Sequence, residues 1–334
     1  MKRRPGYLID AATSGVRSAL VYLDSPDKAV VIGEFLFRLL GMRRQGSTFD
    51  LSRVRCVLLV RLDEIGDVTL TAPFLRELRR LLPDAWISLV VKPAIYNLVE
   101  CCPYVNEVLT YNWNSLRYVG RAQRHWRALH LAVRKLWRRR FDLAMVPRWE
   151  EDCYHASYVA YFSGAPWRLG YSEKVGEFKR RFNRGFDRLF THVLDGTAPR
   201  HEVERSLDII RFLGGTVHET RLELWLNAED ADVASRALTA EHVAPTDLVV
   251  AFGPGAAVPR RRWPLDHFAA LGAWLITELK ARLVLIGGPG EEALGKELQR
   301  RIGAGVVDVV GRLTLRQSAA LLKRAHLYIG NDSG

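Results

Sequence analysis

The sequence predicts an α/β protein made of two doubly wound, parallel-sheet halves. Short apolar runs alternate with helical patterns along most of the chain. Glycine-rich or acidic turns follow several of those runs directly. The 334 residues, at roughly 150 per domain, leave room for two domains. Successive βα units of this kind fold into parallel sheets with helices on both faces.

Residues 1–52 read as an N-terminal extension, partly helical. Met1-Lys2-Arg3-Arg4 resembles the basic front of a signal peptide, but Asp10, Arg17 and Asp24 interrupt the stretch behind it, so export is not expected. Ala29 to Gly41 is the most apolar early segment. Glu34 and Arg38 break it, and it is shorter than the roughly 20 residues that span a bilayer. It suits an amphipathic helix lying on a membrane or on the body of the protein.

The first half covers 53–226. Cys56–Val60 is a buried strand, followed by a helix with Pro73 near its start and Phe74, Leu75, Leu78 and Leu82 on its apolar face. Trp86–Val91 is the next strand, a short helix precedes the strand Glu107–Tyr111, and a long helix is expected from about Arg117 to Arg139. Its apolar positions Val119, Ala122, Trp126, Leu129, Val133 and Leu136 should face inward. Leu143–Val146 is again a strand, and Cys153 to Gly214 is more helical and irregular, closing with a helix from His201 to Leu213 that Gly214-Gly215 ends. Residues 227–247, polar and Ala-rich, read as a linker. The second half, 248–334, gives strands at Leu248–Phe252, Leu283–Ile286, Val306–Val310 and His326–Ile329, with helices at Leu265–Leu279, Glu291–Arg301 and Thr314–Arg324. The chain stops in turn residues just after a strand, where the next helix should begin, so it reads as truncated.

Composition narrows the partners. Hydrophobic residues at 48% and charged residues at 26% exclude disordered, collagen-like and disulfide-scaffold chains. The 49 Lys+Arg against 37 Asp+Glu give a net charge of +12, which suits nucleic acid, an anionic membrane or phosphorylated substrates. The four cysteines have no C-x-x-C spacing and form no Cys/His cluster, so reduced structural thiols in a cytosolic protein are expected.

Chemistry concentrates in turns that follow strands. In Arg61-Leu62-Asp63-Glu64-Ile65-Gly66-Asp67, Gly66 lets the backbone turn and approach a ligand, and Asp67 serves either as a helix cap or as a general base toward a hydroxyl. In Phe252-Gly253-Pro254-Gly255-Ala256, small residues let backbone N–H groups face a phosphate, though neither P-loop nor dinucleotide spacing is present. Arg260-Arg261-Arg262-Trp263-Pro264 places three guanidinium groups beside that turn, suited to a diphosphate or simply to solvent. In Gly287-Gly288-Pro289-Gly290-Glu291-Glu292, the acids fit the helix dipole, or the ribose hydroxyls of a nucleotide. Gly330-Asn331-Asp332-Ser333-Gly334 is a fifth such turn. Together these turns favour a nucleotide-linked substrate.

In combination and order, these blocks resemble the lipopolysaccharide heptosyltransferases, glycosyltransferase family nine. The block from Leu59 to Pro73, Pro254-Gly255-Ala256 with Arg261-Arg262-Trp263-Pro264, the Gly287–Glu292 turn and Gly330–Gly334 carry the likeness. Trp167-Arg168-Leu169-Gly170-Tyr171 and His201-Glu202-Val203-Glu204-Arg205 add to it, so it spans roughly Arg53 to Gly334. The resemblance implies a GT-B fold, two Rossmann-like domains facing a cleft. It implies transfer of heptose from ADP-heptose to the lipopolysaccharide inner core with inversion, no cofactor and no obligatory metal, at the cytoplasmic face of the inner membrane. Asp67 matches the family's catalytic base. Arg261 stands where the family usually has Lys and supplies the charge for the leaving diphosphate. Gly66, Gly253, Pro254, Gly255, Ala256, Arg260, Arg262, Gly288, Asn331, Asp332, Ser333 and Gly334 fall to the donor, and one of Glu291 or Glu292 to its ribose. The family motif continues past Gly334, so this chain is expected to turn over poorly beside a longer version; the extension 1–52 lies outside the resemblance.

Two basic surfaces add an acceptor side. Arg117 to Arg140 carries nine cations and no acid. Lys174 to Phe190 alternates cations with Phe178, Phe182, Phe186 and Phe190. Arg61, Arg180, Arg181 and Arg184 are the residues expected to meet an anionic lipid acceptor or the membrane. The competing readings are a GT-B transferase with another nucleotide sugar and a basic nucleic-acid-binding protein. The acids of the 63–67 turn and the absence of RNA- or DNA-binding signatures speak against the second.

Overall fold

A computed structural model describes residues 25–42, 49–112, 124–196, 198 and 200–332. Internal contacts divide the chain into two units, Met1–Tyr96 with Pro103–Glu223, and Asn97–Cys102 with Leu224–Gly334.

The first unit opens with helix α1 (Pro26–Leu39), capped by the Ser25 hydroxyl. Strand β1 (Cys56–Val60), a short helix α2 (Ile65–Thr69), α3 (Ala72–Leu81) and β2 (Trp86–Val91) follow. The turn α4 (Tyr96–Val99) straddles the boundary between units. Then come β3 (Glu107–Thr110), α5 (Arg124–Leu131), β4 (Leu143–Val146), α6 (Ala156–Phe162), β5 (Trp167–Tyr171), α7 (Glu177–Phe182), β6 (His192–Leu194) and α8 (Glu202–Phe212). The six strands form one parallel sheet in the order β3-β2-β1-β4-β5-β6. Both faces of β1 are covered, so Val57, Leu58, Leu59 and Val60 are all buried; a doubly covered parallel strand needs such an unbroken apolar run. Tyr158, Val159, Tyr161 and Phe162 of α6 pack with Leu58, Val60, Ala144 and Val146 of the sheet. Helix α1 joins this core because Gly33 has no side chain: a Cβ there would overlap the ring of Tyr161. The opposite side of α1 leaves Val31, Phe35 and Leu39 exposed.

The second unit holds α9 (Ala228–Ala240), β7 (Val249–Gly253), α10 (Leu265–Leu279), β8 (Arg282–Leu285), α11 (Glu292–Ile302), β9 (Val306–Asp308), α12 (Leu315–Leu322) and β10 (Leu327–Gly330). Its four strands are parallel, in the order β10-β7-β8-β9. Arg316 ties the 97–102 segment to this unit, donating to Asn97 O at 3.0 Å and pairing with Glu100 at 2.5 Å and buried Asp230 at 2.7 Å.

Three expectations change. Residues 227–247 carry a helix: Asn227 and Asp230 form a capping box, and Ala234 and Leu238 of α9 pack into the second unit's core. The irregular region 153–214 contains two further strands, β5 and β6, and helix α6. The long helix expected to Arg139 is instead α5 followed by a π-turn over Ala132–Leu136; its first part lies outside the described residues. Ala128, Leu129, Ala132 and Leu136 form its inward face, leaving Trp126 and Val133, each about half exposed, on the outside. The extra residue in a π-turn rotates the helix from Ala132 on, so a single 3.6-residue period does not carry the face past that point, while Trp126 lies outside it already in α5.

None of the four cysteines is in a disulfide, and burial pushes the thiols of Cys56 and Cys153 up to about 11. Among the described residues no helix is long and apolar enough to cross a membrane.

Candidate active site

In parallel α/β sheets ligands bind beyond the carboxyl ends of the strands. Beyond β1, Arg61 turns inward. It is 1% exposed and pairs with Asp63 at 2.9 Å and Glu202 at 2.8 Å, and its guanidinium donates to the carbonyl of Pro147. The expectation that Arg61 meets an acceptor or membrane is therefore corrected: its guanidinium is buried and paired inside the first unit. Arg148, beyond β4, bridges the buried Asp63 at 2.8 Å and Asp67 at 3.4 Å. Burial works against the charge of Arg148, but Asp63, Asp67, Glu150 and Glu202 outweigh it and raise its pKa, so it stays a cation. Asp63 is opposite in balance: burial pushes its carboxyl above the ordinary range despite Arg61 and Arg148.

Asp67 lies at the third position of α2, where its Oδ2 accepts from Glu64 N at 3.3 Å. Its side chain remains 32% exposed. Both partners of Oδ2 sit at the long edge of hydrogen bonding, and Oδ1 has no hydrogen-bond partner among the described residues. Asp67 is thus a cap and an available carboxylate at once. Gly66 is inside α2 with ordinary backbone angles, and a Cβ there would meet nothing within 4 Å. It is not needed for the turn; what it leaves is open space beside Asp67.

Glu64 extends the cluster outward, accepting from Lys92 Nζ at 2.7 Å and from the Tyr154 hydroxyl, with the Lys92 ammonium 4.1 Å from the Tyr154 ring centre. Burial opposes its charge, but Lys92 and Tyr154 hold its carboxyl below the usual range. The backbone that carries Arg148 is fixed from beneath by Lys179, whose buried ammonium donates to Arg148 O at 2.8 Å and Trp149 O at 3.1 Å. Burial pushes the Lys179 pKa down to about 8. Beside the cluster is a hollow of about 550 Å³ walled by Trp149, Tyr171, Leu194, Arg200, Arg205 and Asp208. The Arg205 guanidinium stacks 3.7 Å from the Trp149 ring centre. A larger hollow of about 660 Å³, with Arg53, Arg55 and Arg140, lies at the opposite, amino ends of β1 and β4, away from this chemistry.

In the second unit the turns after β7, β8 and β10 interlock. Asn331 accepts from Trp263 N at 2.8 Å and donates to Pro254 O at 2.8 Å. Arg262 clamps the Ala256 carbonyl with two bonds of 2.9 and 2.8 Å, so it braces the Gly253–Ala256 turn. Arg261 pairs with Asp332 at 3.1 Å, both exposed, while Arg260 faces solvent. Glu291 accepts from Gly288 N at 2.9 Å, and Glu292 from Gly290 N at 2.9 Å, so each carboxylate shapes the glycine turn. Gly253 and Gly255 are spaces for neighbours: Cβ atoms there would overlap Tyr328 and the Glu291 carboxylate respectively. Ser333 and Gly334 lie outside the described residues.

The model of glycosyltransferase family 9 (heptosyltransferase) matches residues 130–334. The chain belongs to this family. It is an enzyme of the glycosyltransferase class with the GT-B type of fold. A lipooligosaccharide heptosyltransferase 2 of Haemophilus influenzae is 31% identical over 91 residues, 26% of each chain. The lipopolysaccharide heptosyltransferase 2 of Salmonella typhimurium is 23% identical over 280 residues, 81% of this chain and 75% of that one. Thus the chain spans about a quarter of the first relative and three quarters of the second. Among solved structures, a family 9 glycosyltransferase of Veillonella parvula matches with TM-score 0.70 and 23% identity, over 87% of this chain and 78% of that one. The E. coli ADP-heptose lps heptosyltransferase II matches with TM-score 0.60 and 22% identity, over 83% and 79%.

Sequence reasoning singled out Asp63 and Asp67 but missed Arg148, Lys179, Lys92 and Tyr154. Arg148 had a usable signal, a cation just past the strand end of β4. Lys179 had none, being one of several cations in a run. Arg180, Arg181 and Arg184 are exposed, in line with the sequence pattern.

Proposed function

We propose that this family 9 heptosyltransferase moves a heptose from ADP-heptose to the inner core of lipopolysaccharide, with inversion at the anomeric carbon and Asp67 as general base. In this reading Asp67 Oδ1 takes the proton of an acceptor hydroxyl as that oxygen attacks the face opposite the departing ADP. Arg148 orients the carboxylate from its other oxygen, and the buried Arg61–Asp63–Glu202 set fixes Arg148. The single observation that carries the reading is the Asp67 carboxylate, held from one oxygen and open at the other, at the carboxyl end of the sheet. In the second unit the Gly253–Ala256 and Gly287–Gly290 turns would take the diphosphate. Arg261 would bear on its leaving charge after parting from Asp332, and Glu291 or Glu292 on the ribose. In this reading the acceptor approaches through the hollow walled by Trp149 and Arg205, at the cytoplasmic face of the inner membrane.

A thermal-shift panel of ADP, UDP and GDP sugars tests the donor. Stabilisation by the ADP sugar above the others is expected, and selective stabilisation by a UDP or GDP sugar would replace this reading with a different GT-B transferase.

A further inference from the structure

On helix α7 and the turns around it cations outnumber acids on the solvent side. Two of the three acids face the fold: Asp187 accepts from the Ser172 hydroxyl at 2.6 Å and Glu173 N at 2.7 Å, and Glu173 accepts from Gly185 N at 2.5 Å, while Glu177 at the start of α7 is exposed. The cations Lys174, Arg180, Arg181 and Arg184 face solvent. Between them stand two phenylalanines of opposite fate from the rest of the run. Phe186 is buried and Phe190 packs against the core, whereas Phe178 is 65% exposed and Phe182 46%. Phe178 and Phe182 are one helical turn apart and stack with ring centres 6.3 Å from each other. Two large apolar rings held together in water cost free energy unless something covers them. Rings ringed by arginine suit a surface that is apolar within and anionic at its edge, as a bilayer of acidic lipids is.

We propose that α7 is a membrane-contact helix, with Phe178 and Phe182 entering the headgroup layer of an anionic bilayer and Arg180, Arg181 and Arg184 meeting its phosphates. The inference rests on the reaction proposed above, whose acceptor is a lipid. It also joins docking to the site. Lys179, on the inner side of the same helix, holds the carbonyls of Arg148 and Trp149. Arg148 contacts Asp67, and Trp149, the next residue, walls the hollow that Arg205 shares. One short helix therefore fixes the catalytic loop with its inner side and the lipid surface with its outer side. A second apolar strip adjoins it, since Arg188 at the end of this segment pairs with Asp27 of α1, the helix that exposes Val31, Phe35 and Leu39.

The test is co-sedimentation of the full chain with vesicles of phosphatidylcholine alone or with about 30% phosphatidylglycerol, without acceptor or nucleotide sugar. Binding to the anionic vesicles only is expected, weakened by salt. Each arginine near such a surface is worth about fivefold in binding, so R180E/R181E/R184E should bind at least about a hundredfold more weakly. F178S/F182S should lose binding to a similar degree at unchanged melting temperature. A Phe178→Trp variant should shift its fluorescence to the blue on the anionic vesicles, which reads insertion without removing the ring. Equal binding by the variants, no binding by the parent, no blue shift, or displacement by duplex DNA as readily as by lipid would each overturn the proposal. Since these readouts involve no transfer, they separate the two readings. Intact vesicle binding without sugar transfer would count against the reaction alone. Transfer to a water-soluble acceptor by a chain that ignores vesicles would count against docking alone.

Discussion

Replacing Asp67 by Asn removes a charge and leaves a shape. The Asn carbonyl can still accept from Glu64 N, so the start of α2 keeps its cap. Arg148 loses only its 3.4 Å contact and keeps Asp63 at 2.8 Å. Stability should therefore change by no more than about 0.5 kcal/mol, as for other substitutions that leave a fold's bonds in place. Activity should fall far more. A positioned general base contributes roughly 10²–10⁴ in rate, about 3–5 kcal/mol of barrier. Asp63→Asn is the internal contrast. Asp63 is buried between two guanidinium groups, and removing its charge takes one close partner from each, leaving Arg61 with Glu202 and Arg148 with the longer contacts to Asp67 and Glu150, a loss of about 3 kcal/mol of stability. The assay measures kcat/KM for heptose transfer, donor affinity by calorimetry and urea midpoints on all three proteins. Asp67→Asn should lose turnover at unchanged midpoint and donor affinity, and Asp63→Asn should lose midpoint first. An Asp67→Asn enzyme within tenfold of the parent, or one whose loss tracks a loss of fold, would refute the reasoning.

In the second unit, Arg316→Met breaks buried pairs to Asp230 and Glu100 and should lower unfolding free energy by about 3–5 kcal/mol, read by denaturant titration. Gly255→Ala places a methyl group where the Glu291 carboxylate lies, forcing that flexible side chain out; donor affinity should fall about tenfold, with the melting temperature within about a degree or two, as calorimetry and thermal melts would show. Lys179 has its pKa lowered from 10.5 to about 8, so the folded chain releases this proton first and stability tied to it is missing below pH 8 and regained as pH rises toward 10.5. Against Lys179→Met, wild-type stability should thus improve between pH 7 and 10 by up to about 3 kcal/mol, and a pH-independent difference would show that Lys179 does not titrate in that window.

The elements legible in the sequence were those whose local pattern and tertiary role agree. β1 and β4 are unbroken apolar runs because both of their faces are covered. β5 escaped notice because Trp167, Arg168 and Gly170 interrupt its apolar pattern, and β6 because three residues carry almost no period. The site was half legible for a similar reason. Asp63 and Asp67 share one turn, whereas Arg148, Lys179 and Glu202 come from separate segments that only the packed sheet brings together. Arg61 was misread because inward and outward alternate residue by residue at a strand end. Lys179 was hidden among cations that helical geometry then divides, one inward and its neighbours outward. The interlocked second-unit turns were found by their glycines, but not that Arg262 and Asn331 are spent on bracing the backbone.

The charge inventory around Asp67 explains why this carboxylate, of the several nearby, suits proton transfer. Buried charges persist when they are paired. Arg61 and Arg148 are answered by Asp63 and Glu202, at distances from 2.8 to 2.9 Å, so this interior set is neutral without Asp67 or the more exposed Glu150, which meets Arg148 at 3.3 Å. Asp67 is thus the surplus charge. Its contact to Arg148 is the longest of the set, and it alone keeps an oxygen clear among the described residues. Protonating Asp63 would weaken a close partner of two buried cations at once, while protonating Asp67 gives up one long contact at the surface. In the proposed reaction the proton of the attacking hydroxyl would go where its arrival disturbs least, and by this inventory that place is Asp67.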